Sequence, residues 1–154
     1  MSGKDSARVI APPPLIFGGA LILAWVARNL IVFKLFPRPY NISLGVGFVL
    51  LGSLLALVTS LTLIRAKTAL NPYRATTKVI TSGPFRISRN PIYLGLTLAY
   101  LGVAIALDLM TAIALLPLVI LLMNWGVISR EEAYLETRFG EEYLRYKANV
   151  RRWL

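Results

Sequence analysis

Apolar positions along this chain collect into four runs, residues 15–36, 44–64, 92–107 and 109–128, divided by short polar segments. A helix needs roughly 20 residues to cross a hydrocarbon core. The first, second and fourth runs reach that length, and the third suffices with interfacial flanks. Beyond residue 128 the pattern changes. Leu135, Phe139, Tyr143, Tyr146, Val150 and Trp153 follow at steps of three or four, which is one face of a helix. The expected fold is therefore all-α: a polytopic membrane protein with four transmembrane helices and a C-terminal cytoplasmic amphipathic helix.

The breakers agree with that division. Residues 1–14 read as a flexible lead ending in three prolines, and Pro37 and Pro39 mark a turn between the first two spans. Asn90-Pro91 reads as a helix start, with Asn as N-cap and Pro at the first helical position. Asp108 is expected to cap the fourth span, Pro117 to kink it, and Gly140 to allow a bend in the tail. The first run is too long for a signal-peptide core and is expected to be retained. Together these give a single membrane domain over 1–154. Its parts are the lead (1–14), the spans (15–128, with a loop at 65–90) and the tail helix (129–154).

Composition supports a lipid solvent: 56% of the 154 residues are hydrophobic and only 16% charged, where soluble domains carry about a quarter. The net charge of +10 raises nucleic acid as a partner, but its distribution argues against that. Lys4 and Arg8 precede the first span, and Arg65, Lys67, Arg74, Lys78, Arg86 and Arg89 lie between the second and third. The tail adds Arg130, Arg138, Arg145, Lys147, Arg151 and Arg152. The other two connections hold only Lys34, Arg38 and Asp108. Such a bias places both termini and the 65–90 loop in the cytoplasm, in a bacterial or archaeal cytoplasmic membrane. The sequon at Asn41 would then face outward, and is read as a chance match. Arg28 lies deep in the first run, where a charge is a functional-site hypothesis by default unless it snorkels.

The chain has no cysteine and no histidine. Thiolate chemistry, disulfides and cysteine lipidation are excluded, and with histidine go the usual general base and the commonest metal ligand. What remains is the segment TSGPFRISRNPIYLG at residues 81–95, in which Arg86 and Arg89 stand beside two prolines and two aromatics. Stepping back along the tail stripe passes through Glu131, Ile128 and Asn124, so Glu131 points to the packed side while Glu136 lies off it. A braced basic loop and an inward carboxylate suit a small molecule carrying both signs of charge. The helix start and guanidinium groups favour an anion, Glu131 favours an ammonium or hydroxyls, and Phe85 and Tyr93 can flank a flat ring or a cation. A zwitterionic nucleoside such as S-adenosylmethionine fits but is not singled out.

This segment, followed by REEAYLETRFGEEYLRYKANVRRW at residues 130–153, resembles the integral-membrane methyltransferases that include isoprenylcysteine carboxyl methyltransferase and phospholipid methyltransferases. The likeness covers about residues 76–153. It implies an enzyme that encloses S-adenosylmethionine between the loop and the start of the tail and methylates a lipophilic acceptor among the membrane lipids. Residue by residue, it implies cofactor contacts from Thr77, Lys78, Val79 and Ile80, an aromatic contact at Phe85, and Arg89 beside the signature Asn90-Pro91-Ile92-Tyr93. Glu131 corresponds to the first glutamate of the family's EExxL motif, a cofactor ligand. Two positions depart. Asn90 replaces histidine and cannot take a proton near neutrality, and Val127 stands where prenylcysteine enzymes have a substrate-contacting arginine. The alternatives are a small four-span transporter, which would need an acid inside a span, and a non-catalytic membrane-surface scaffold. A reductase of the sterol-reductase fold would need more spans.

Overall fold

A computed structural model describes residues 9–34, 36–68 and 76–154, and its regular elements in those residues are all helical. In order they are α1 (Pro13–Val26), α2 (Tyr40–Arg65), a 3-10 turn at Gly83–Arg86, α3 (Pro91–Ala106), α4 (Met110–Met123), a π-helical turn at Asn124–Ile128, α5 (Ser129–Phe139) and α6 (Glu141–Asn149). Among the described residues two helices are long and apolar enough to cross a membrane: α2, and the continuous helix Met110–Phe139 made of α4, the π turn and α5. α1 and α3 are apolar but shorter, 14 and 16 residues, or ~21 and ~24 Å at 1.5 Å per residue.

The first run is broken earlier than its hydrophobicity suggests. α1 ends at Val26, and residues 27–30 form turns. Arg28 lies beyond the helix end instead of deep within a span. Its Nη1 donates to the Trp25 carbonyl at 3.0 Å, and its guanidinium sits 4.5 Å from the Trp25 ring centroid. An exposed arginine with those partners is anchored locally.

α2 and α3 form the tightest pair because glycines face each other at seven-residue spacing. A methyl group on Gly95 would come within 2.6 Å of the Gly52 carbonyl oxygen, and one on Gly45 within 2.6 Å of the Gly102 oxygen. Backbones therefore touch directly, the small-residue packing that holds helices together where lipid supplies no hydrophobic drive. α1 lies on α3 and α4 through the Phe17–Tyr100 edge contact, 5.9 Å between centroids. Two hydroxyls tie the same group: Thr111 Oγ1 donates to Ala24 O and Tyr100 Oη to Ala112 O, both at 2.8 Å.

These contacts sort the bundle into two ends. At one end lie Ala24, Asn41, Asp108 and Thr111. Asp108 does not cap α4, whose preceding residue is Leu109 without a side-chain cap. With φ at +53°, Asp108 instead accepts a hydrogen bond from Asn41 Nδ2 at 3.0 Å, tying the start of α2 to the α3–α4 turn. Asn41 is fully buried, so the amide of the sequon is shut inside the fold. At the other end are the start of α3, the end of α2 and the π turn. There the lead is packed from Val9 onward: Val9 is buried, and the Ile10 N–H donates to Gly126 O at 3.1 Å. Residues 1–8 of the expected lead, Leu35 of the first run, and 69–75 of the loop with Arg74 lie outside the described residues.

The tail is not one helix over 129–154. Gly140 has φ +50° and ψ −125°, a conformation that only glycine reaches without strain, and it separates α5 from α6. Helix ends at Asn149, and Val150 is extended.

Candidate functional site

A cleft opens at the second end, where the loop before α3 faces α5 and α6. About 910 Å³ of space lies within it and its open mouth together. Of the residues singled out in the sequence, Lys78, Val79, Ile80, Phe85, Arg89, Asn90, Pro91, Ile92, Tyr93 and Glu131 all line it. Thr77 does not. Its N–H donates to Thr68 Oγ1 and its own hydroxyl to Lys67 O, both at 3.2 Å, so it pins the strip to the end of α2 instead of facing the cleft.

The loop is braced through its backbone. Phe85 sits in the 3-10 turn, and its carbonyl accepts the Tyr146 hydroxyl at 2.7 Å. Asn90 occupies the position before α3 but makes no side-chain cap. Its Nδ2 donates instead to Arg152 O at 2.9 Å, while its N–H goes to Ser88 Oγ at 3.1 Å. Pro91 fills the first helical position, where no N–H is needed. Thus the N-cap expectation holds for position and fails for the hydrogen bond: the amide is spent on the chain's last residues.

Opposite stand the two glutamates that open α5. Glu131 Oε1 accepts the Tyr93 hydroxyl at 2.6 Å, joining α3 to α5 across the cleft. Glu131 lies past Ile128, where the apolar stretch ends. Burial raises its carboxyl to about 7, against the lowering effect of the Tyr93 hydrogen bond, and the nearby Glu132 charge raises it further. Burial likewise raises the phenol of Tyr143 in α6, with Glu132 adding to it, and pushes Tyr146 up to about 12 against the opposing Arg89 charge.

Glu132 is the deeper of the pair, only 4% exposed. Arg89 Nη2 lies 3.0 Å from its Oε1, and Arg152 reaches it with Nε at 3.1 Å and Nη2 at 2.5 Å. Arg89 Nη1 donates to Lys147 O at 3.2 Å, and Arg89 Nε is buried with no partner among the described residues. Sequence reasoning found Glu131 and passed over Glu132 and Arg152. The step from Leu135 back to Glu131 lies wholly within α5, and Glu132, one residue on, stands about 100° off that stripe. A doubled glutamate was the available signal. Arg152 had none beyond its place in a basic tail. Val127 is wholly buried in the π turn and offers no contact to a ligand.

The arrangement offers a carboxylate, a guanidinium and several aromatic rings around one partly apolar space. A model of the family described as phospholipid methyltransferase matches residues 40–142 of the chain. An uncharacterized protein of Haemophilus influenzae is 48% identical over 63 residues, which are 41% of this chain and 79% of that protein. No solved structure matches the chain.

Proposed function

This chain belongs to the phospholipid methyltransferase family, and from that membership we propose that it transfers a methyl group from S-adenosylmethionine to a lipophilic acceptor at the cytoplasmic face of a membrane. The observation that carries the reading is the cleft at which the loop residues 89–93 and Glu131 meet. Its donor set fits the cofactor. The buried Nε of Arg89, without a partner among the described residues, suits a carboxylate, the Glu131 carboxylate suits an ammonium or ribose hydroxyls, and Phe85 and Tyr134 border the same space for a flat ring.

When bound, S-adenosylmethionine supplies a methyl group on a cationic sulfonium, which passes by in-line displacement to an oxygen, nitrogen or sulfur. The chain's own residues bind and align. Tyr93 holds Glu131 in place, and Asn90 orients the loop without exchanging a proton. Leu63, Ile80, Ile92 and Leu135 give the cleft an apolar wall toward which a lipid acceptor moves from the bilayer. Catalysis of this kind rests on proximity and alignment. A carboxylate or thiolate acceptor needs no base, and an amine must arrive neutral.

The same reading sets the topology. Arg65, Lys67, Lys78, Arg86, Arg89 and Arg130 gather at the cleft end, so that end and both termini face the cytoplasm. α1 and α3 then cross as short spans, with flanking residues and local thinning of the bilayer making up the length. Calorimetry with S-adenosylmethionine on the detergent-solubilised protein tests the site. Wild type is expected to bind and Glu131→Ala to lose at least tenfold in affinity. Equal binding by the two would sink the assignment of Glu131.

A further inference from the structure

We propose that residues 150–154 form a strap that completes the cofactor cleft, and that Arg152 is its positioning residue, freeing the charge of Arg89 for the carboxylate of the bound ligand. The inference rests on the cofactor reading above and extends it to a part of the chain outside the matched family region.

After α6 the backbone turns extended at Val150 and runs between the two halves of the site. Its carbonyls face the loop. Arg151 O accepts the Arg89 N–H at 2.9 Å, and Arg152 O accepts both Ser88 Oγ at 3.2 Å and Asn90 Nδ2 at 2.9 Å. Its side chains reach the other half. Arg152 takes both oxygens of Glu132, and Trp153 Nε1 donates to Asn124 Oδ1 in the π turn at 3.0 Å. Loop and α5 are thereby held to one another through the strap.

The charge arithmetic gives Arg152 its role. Arg89 and Glu132 are both buried, with side chains 9% and 6% exposed. Alone they would neutralise each other, and Glu132 would draw the guanidinium into a two-pronged pair. With Arg152 on the same carboxylate, two cations share one anion, and the cluster keeps a net single positive charge. The surplus belongs with Arg89. Its Nη1 and Nη2 are engaged by Lys147 O and Glu132, while its Nε, on a residue that lines the cleft, is buried with no partner among the described residues. Leaving a buried N–H unsatisfied is costly, and a ligand carboxylate satisfies both the donor and the charge.

The test compares two probes on wild type and Arg152→Gln by calorimetry: S-adenosylmethionine and its decarboxylated analogue. The variant is expected to lose about tenfold in affinity for S-adenosylmethionine and to bind the decarboxylated analogue as wild type does. That second value also reports that the variant is folded. Equal losses for both probes would reduce the strap to general scaffolding and overturn the proposal, as would no loss for either. If Arg152→Gln does not fold, Arg152→Met carries the same comparison, since an unbranched apolar side chain keeps the packing of the stem but removes the charge. A wild type that binds neither probe would instead bring down the cofactor reading itself.

Discussion

Glu131 sits where burial and a phenol pull its proton equilibrium in opposite directions. Burial raises the carboxyl from 4.5 to about 7, the Tyr93 hydroxyl lowers it, and Glu132 raises it. The titratable groups acting on it are therefore Tyr93 and Glu132, the latter paired with Arg89 and Arg152. Because the folded value is raised, the protonated form contributes stability that is complete below about 4.5 and is lost as pH rises through about 7. Binding an ammonium or hydroxyl donor requires the opposite, ionised form. Affinity for S-adenosylmethionine is therefore expected to be about tenfold lower near pH 6 than near pH 8, with proton release at the lower pH. Calorimetry in buffers of different ionisation enthalpy measures both, and Glu131→Gln is expected to flatten the profile. A wild-type profile already flat across that interval would refute the assignment. The inward direction of Glu131 was legible in the sequence because six apolar residues of the tail defined a face. The partnership of Glu132 with Arg89 and Arg152 was not, because nothing local in the chain links positions 89, 132 and 152.

At the scale of elements, the π turn at Asn124–Ile128 decides which side chains of α5 enter the cleft. Each residue of an α-helix advances about 100° around the axis, so one residue more or fewer before Ser129 swings Glu131 and Glu132 away together. Deleting Gly126 is expected to let the long helix run as plain α-helix, leaving helical content and solubility in detergent near wild type while abolishing S-adenosylmethionine binding. Retained binding would mean that the π turn has no part in setting the site. Element positions were largely legible: α2 and α3 begin and end within a few residues of the second and third apolar runs. Where the pattern failed, a specific local feature explains it. The first run was cut short at Val26 by the polar pair Arg28-Asn29, with Arg28 folding back on Trp25. The tail splits at Gly140, the residue expected to allow a bend, because it takes a positive φ; the spacing of the apolar face alone runs on across the break, since α5 and α6 each keep that face turned inward.

For the molecule as a whole, the division of labour runs between the two ends of the bundle. One end is closed by the Asn41–Asp108 hydrogen bond and by Thr111 on Ala24. The other gathers the basic residues, the loop before α3, the glutamates of α5 and the last residues of the chain around one cleft. Facing glycines on α2 and α3 fix the first wall of that cleft, and the continuous helix Met110–Phe139 carries the second out beyond the apolar region. The gathering was legible from charge bias and from the two motifs taken together. The strap was not, since its contacts with the loop are made largely by backbone carbonyls and carry no mark in the side chains. The function proposed for this architecture is the transfer of a methyl group into lipid. It is tested most directly by incubating membranes that hold the protein with S-adenosylmethionine labelled in its methyl group, then counting label in the organic-extractable fraction. Label is expected in that fraction with wild type and none above background with Glu131→Ala, whereas equal label from the two, or none from wild type, would contradict methyl transfer into lipid.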